Sequence, residues 1–206
     1  MGLQSFDASL YKDEYVPQRL ARLEVCVHAC YAQLKLRADE PTSSALDLGA
    51  ATLQFADTEI LTGIALEAGL MANRTLLNFV GIKLENNGIE NKPYALTVAE
   101  FGLPFAPLAA ACNILTPEVP AEDMKDIWTE SLATASRSSA HFTSVGATIR
   151  VARIGFACYA TSLLVRQYFY NALGEAAPPS LITPQVRPTT RGDMCWHTVD
   201  PQDRVC

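Results

Sequence analysis

The stretch Glu122-Asp123-Met124-Lys125-Asp126-Ile127-Trp128 runs on through Leu132 to Arg137-Ser138-Ser139-Ala140-His141-Phe142-Thr143. It then turns at Gly146 into the longest apolar run of the chain. Ile127, Trp128, Leu132 and Ala135 recur at helical spacings, so they share one face of a helix. Glu122 and Asp123 suit the positive end of that helix's dipole. A final long helix is predicted over 147–173, with Val151, Ile154, Cys158, Val165 and Phe169 as its stripe and Gly174 as its stop. Two long amphipathic helices joined by a short turn imply helix-on-helix packing.

The rest of the chain follows the same pattern. Pro17 opens a helix over 18–37, whose Leu20, Leu23, Val27, Cys30, Tyr31 and Leu34 keep helical spacing. Thr42 or Ser43 caps a second predicted helix, carrying Leu46, Leu48, Ala50, Leu53 and Phe55. Residues 58–81 are strongly helical, and whether 43–82 form one helix or two stays open. In 58–81, one apolar stripe is Ile60, Ile64 and Met71, continued by Glu67, Arg74 and Asn78. Another is Leu61, Ala65, Ala68, Ala72 and Phe79. Between 81 and 120 the chain is irregular, with turns at Glu85-Asn86-Asn87-Gly88 and Asn91-Lys92-Pro93. Short helices are predicted after Thr97 and over 108–115. No segment reads as a strand. Residues 1–15 read as a ragged lead. After Glu175, the prolines at 178, 179, 184, 188 and 201 mark an extended tail.

The predicted fold is therefore all-α: an up-down bundle of about four to six helices. Residues 1–175 form one helical domain and 176–206 an extended C-terminal tail. At 206 residues, 49% of them hydrophobic and 18% charged, the chain can bury a sizeable core. Its charge content is below the roughly 25% of average globular chains. The Ala-rich, weakly charged composition suggests close helix packing and an apolar surface covered by a second subunit, hence a homodimer. A net charge of −6, from 22 acidic and 16 basic residues, disfavours non-specific nucleic-acid binding. No signal peptide opens the chain and no membrane span is expected. Cys26, Cys30 and Cys158 lie inside apolar helices, as small core residues of a reducing cytoplasm would.

Arg137 and His141, four residues apart, share a face if the helix continues through them. A histidine can act as acid or base near neutral pH, and an arginine can hold a phosphate or stabilise transition-state charge. Together they could cleave RNA without a metal, using the ribose 2′-hydroxyl as nucleophile. The alternative is a histidine capping a helix C-terminus with its arginine on solvent. Glu67, Arg74 and Asn78 form a polar row on a stripe expected to face the core. Such a row needs partners, either as a structural ion pair or as part of a binding site. In Cys26-Val27-His28-Ala29-Cys30 the two thiols share a face but His28 points elsewhere. A structural metal site needs four ligands, so no metal is expected. Neither a phosphate-cradling glycine loop nor a nucleophile elbow is present, and no cofactor is expected.

Two of these stretches carry a resemblance. Ala72-Asn73-Arg74-Thr75-Leu76-Leu77-Asn78-Phe79, followed later by Ser136-Arg137-Ser138-Ser139-Ala140-His141-Phe142-Thr143 and a long helix, resembles a set of bacterial proteins. Those carry an Arg-x-Leu-Leu-x-Phe helix and a later Asn-Lys-x-x-Ala-His-Leu-Thr segment. They in turn are similar to the HEPN (higher eukaryotes and prokaryotes nucleotide-binding) helical domains. The resemblance covers residues 58–173. It implies a helical bundle, often dimeric, and a metal-independent RNase or nucleotide-handling role with Arg137 and His141 as the catalytic pair and Arg74 nearby. The spacing departs from the family: three residues separate Arg137 from His141, fewer than in active members, and Gly146 stands where an arginine often follows. The other function expected is a non-catalytic helical domain that binds a protein partner.

Overall fold

The computed structural model describes residues 6–35, 43–86, 88–93, 95–138 and 149–182. The chain is mostly helical, with short strands. Among the described residues, four long helices make the body. They are α2 (Val16–Lys35), α3 (Thr58–Phe79), α5 (Ala121–Ser138) and α6 (Val151–Val165). Helix α2 packs on α3 and α6, α3 also packs on α5 and α6, and α5 meets α6. The stripes predicted for α2, α5 and α6 are where the core lies. Leu20, Leu23, Val27 and Cys30 are buried, as are Ile127, Trp128, Leu132 and Ala135, and Ile154, Cys158, Val165 and Phe169.

Helix begins earlier than the sequence suggested. Asp7 caps a single turn, α1 (Ala8–Leu10), by accepting from the Leu10 N–H at 3.1 Å. A π-helical turn, Tyr11–Tyr15, then leads directly into α2. A second π-helical turn, Arg166–Asn171, extends α6 until Gly174, at φ +74, ends it. The first residues of the expected tail are tied back to α2. Arg166 donates to the Pro178 carbonyl at 2.8 Å and to Glu24 at 2.9 Å, and Ser180 also donates to Glu24.

The expected helix over the forties is instead a β-hairpin, so residues 43–82 hold one helix rather than two. Strands β1 (Ser44–Asp47) and β2 (Thr52–Phe55) pair antiparallel, with Leu46 opposite Leu53. The reason lies in the connection. Asp47 Oδ1 accepts from the Gly49 N–H at 2.8 Å, and Gly49 sits at φ +80, a backbone conformation that favours glycine. That turn reverses the chain and leaves no room for a helix. A second hairpin, β3 (Ile82–Glu85) with β4 (Gly88–Asn91), reverses at the predicted turn. Asn91 secures the irregular segment after it. Its amide donates to the carbonyls of Gly81 at 3.2 Å and Ala106 at 2.8 Å, and its Oδ1 accepts from the Leu108 N–H at 3.1 Å. Thr97 caps a 3-10 turn, Val98–Phe101, and a short helix, α4 (Leu108–Cys112), precedes α5.

The centre of the body is polar as well as apolar. Trp128 Nε1 donates to Thr161 Oγ1 at 3.1 Å, and Thr161 donates to Asn73 Oδ1 at 2.6 Å. Asn73 Nδ2 donates to Ser131 Oγ at 3.0 Å, and Ser131 donates back to the Trp128 carbonyl at 3.0 Å. All four side chains are fully buried. The circuit locks α3, α5 and α6 together with every hydroxyl both donating and accepting, which makes a buried polar group tolerable. Beside it, Cys26 Sγ of α2 lies 3.6 Å from Cys158 Sγ of α6, and Gly69 of α3 gives them space. The bond to Cys26, and then burial, push the Cys158 thiol well up, so it stays protonated.

Candidate functional site

The far end of α5 forms one wall of a cavity of about 440 Å³. Asp126, Thr129, Glu130, Ala133 and Ser136 line it, and their spacing of three and four residues puts them on one face of α5. Leu84 of β3 and Arg153 of α6 complete it. Arg153 Nε lies 2.5 Å from Glu130 Oε2, yet that buried nitrogen makes no well-aligned hydrogen bond. The pair is a charge contact, and among the described residues the cavity holds one cation against two carboxylates. Its size fits a small molecule, and the described part of its wall suits a neutral or cationic polar group better than a phosphate.

Ser136 on this wall immediately precedes Arg137 in the last turn of α5. The side chain of Arg137, and His141 altogether, lie outside the described residues. Glu67, Arg74 and Asn78 are elsewhere, on the outward side of α3, and none of them lines this cavity. The stripe they continue was expected to face the core. The structure reverses that: Ile60 and Ile64 are 54% and 57% exposed, and Met71 is 41% exposed. Glu67 is exposed and Arg74 and Asn78 are half-buried, so none of the three is an ionic or polar group sealed in the core. The face that packs inward carries Thr62, Gly69, Leu70, Ala72, Asn73, Leu76 and Leu77.

The apolar spacing did not single out Asn73, which is fully buried on α3. The signal was present: Gly69 and Asn73 stand four residues apart, each with a special steric or polar requirement. The hairpin that leads into α3 adds further exposed apolar groups, with Leu46, Leu48 and Leu53 all on solvent. Helix α3 is also, by length and composition alone, apolar enough to cross a membrane. Among the described residues no group of three or more His, Cys, Asp or Glu side chains could hold a metal ion. Compared with known proteins, the chain matches no family model, no curated protein and no solved structure.

Proposed function

We propose that this chain is a non-catalytic helical protein-interaction domain that forms a homodimer. The observation that supports this is the outward face of α3, where Ile60, Ile64 and Met71 stand in solvent along one stripe. Contiguous apolar surface exposed in this way marks sites of protein–protein contact. The hairpin β1–β2 adds to the case. An isolated two-stranded hairpin is marginal in water, and this one pairs Leu46 with Leu53 on its exposed surface. A second subunit covering it would supply the missing support. The reduced thiols of Cys26, Cys30, Cys112 and Cys158 fit a cytoplasmic setting.

Sedimentation velocity tests the reading. The wild-type chain should sediment as a dimer at micromolar concentration. Covering one half-exposed isoleucine contributes about 1 kcal/mol or more. Replacing Ile60 and Ile64 together by Asp, in both subunits, should weaken the dimer more than a hundredfold while leaving helical content unchanged. A wild-type monomer across the micromolar range would end the proposal.

A second reading is an RNA- or nucleotide-handling protein built as a HEPN-like up-down bundle, with Arg137 and His141 as its catalytic pair. Its support is the cavity that reaches Ser136, one residue before Arg137. Asp126 and Glu130 on the same wall repel a phosphate backbone and weigh against it. Incubation of mixed RNA with wild-type and His141→Ala protein decides: equal cleavage, or none, removes the catalytic reading.

A further inference from the structure

A second cavity, of about 200 Å³, lies at the opposite kind of surface: between the π-helical turn, the start of α2 and the last turns of α3. Leu76, Phe79 and Leu96 give it apolar walls, and the rings of Tyr11 and Tyr15 close one side. Those two rings meet edge to face at 5.0 Å between centroids. Behind them Phe79 joins an aromatic cluster with Phe101, at 5.9 Å, and Phe169, at 4.9 Å.

Among the described residues one charged side chain, Arg19, reaches this apolar space. Its Nη1 donates to the Tyr15 carbonyl at 3.1 Å, and among the described residues it makes no ion pair. In a chain of net charge −6, a guanidinium facing an aromatic pocket without a carboxylate is an unspent anion-binding group. With Nη1 committed to Tyr15, its other edge remains for a planar, two-oxygen partner. The phenols of Tyr11 and Tyr15 also have no hydrogen-bond partner among the described residues, so they add free donors at the rim. The backbone points the same way. The Tyr11–Tyr15 segment is π-helical, a geometry that appears frequently at functional sites, and it sets Tyr11, Tyr15 and Arg19 along one side.

Size limits the ligand. A dry apolar cavity of about 150 Å³ holds one benzene ring. At about 200 Å³ this pocket takes one ring and a short charged arm, and little more. We propose that it binds a small aromatic monocarboxylate, with the ring between Tyr11, Tyr15 and Phe79 and the carboxylate on Arg19.

Phenylacetate is the probe. Saturation-transfer NMR and a chemical-shift titration on the full chain should show saturable binding. Phenethylamine, with the same ring and opposite charge, should bind at least tenfold more weakly, as should acetate, which lacks the ring. Arg19→Gln should cost tenfold or more in affinity. Thr75→Phe, at the exposed rim of the pocket, should block the ring without touching the core, and both variants should keep the wild-type melting temperature. Three results would overturn the assignment: no saturable binding of phenylacetate at millimolar concentration, equal binding of phenethylamine, or affinity unchanged in either folded variant. If Arg19→Gln fails to fold, Thr75→Phe alone decides, because retained affinity there places the ligand elsewhere.

Discussion

Asn73→Ala tests the buried circuit directly. The substitution removes two hydrogen bonds, one from Thr161 at 2.6 Å and one to Ser131 at 3.0 Å. Each is worth about 1 kcal/mol net, and a stranded buried donor costs about 1–3 kcal/mol. Ser131 keeps its bond to the Trp128 carbonyl, so its loss is the smaller. Thr161 loses the acceptor for its hydroxyl while still receiving Trp128 Nε1. The expected cost is therefore about 3 kcal/mol, a large share of the roughly 5–15 kcal/mol that holds a domain together. For a chain of this length that is a fall in Tm of roughly 6–12 °C. Guanidinium unfolding, followed by circular dichroism and by fluorescence in a Trp196→Phe background, gives the number and shows whether both probes report one transition. Adding Thr161→Val removes the stranded hydroxyl. The double variant should then cost about 1 kcal/mol less than the two singles combined. A loss below about 1 kcal/mol for Asn73→Ala, or strictly additive costs, would refute the circuit as described.

Two further outcomes follow from the same packing and charge arguments. Gly69→Ala would place a methyl 2.3 Å from both Cβ and Sγ of Cys26, where nothing can yield cheaply, so it should destabilise by about 1–3 kcal/mol or more in the same titration. Lys83 first, and Lys92 with it, hold the Glu85 carboxyl below its usual range through contacts of 3.1 and 3.2 Å. A depressed folded pKa means stabilisation that is present above the unfolded value and lost as pH falls through the folded one. Wild type should therefore lose more stability than Glu85→Gln between about pH 5 and pH 3, and parallel acid profiles for the two proteins would remove the charge contact from the account.

Much of the fold was legible because α2 and α5 are polar on one side, while α6 is apolar over most of its length and buried on nearly every side. In α2 and α5 the apolar spacing picks out a single face, and burial falls there. The β1–β2 hairpin was not legible, for two reasons. Its strands have four residues each, too few for alternation to show, and both faces are largely exposed, so no buried side sets a pattern. The deciding pair, Leu46 with Leu53, meets through space. What could have been read is Asp47-Leu48-Gly49, a turn signal inside the supposed helix. For the candidate site, the sequence located the end of α5 but not the wall opposite, because Leu84 and Arg153 arrive there only through folding.

Helix α3 failed as a pattern for a different reason, and that reason also explains its surface. It is apolar nearly all round, so hydrophobic spacing alone allows several rotations about its axis. Two residues remove the ambiguity. Gly69 is the position where Cys26 of α2 can approach so closely that no Cβ fits. Asn73, one turn later on the same side, finds both its partners only when it faces Ser131 and Thr161. Any other rotation would bury an amide without partners or leave α2 without its close approach, and each costs more than the exposed apolar stripe does. A small residue and a buried amide thus fix the orientation that the aliphatic residues cannot. The consequence is that Ile60, Ile64 and Met71 are held outward by constraints on the opposite face. Replacing them should therefore leave folding intact, which makes the α3 stripe a surface whose association can be probed without disturbing the core that presents it.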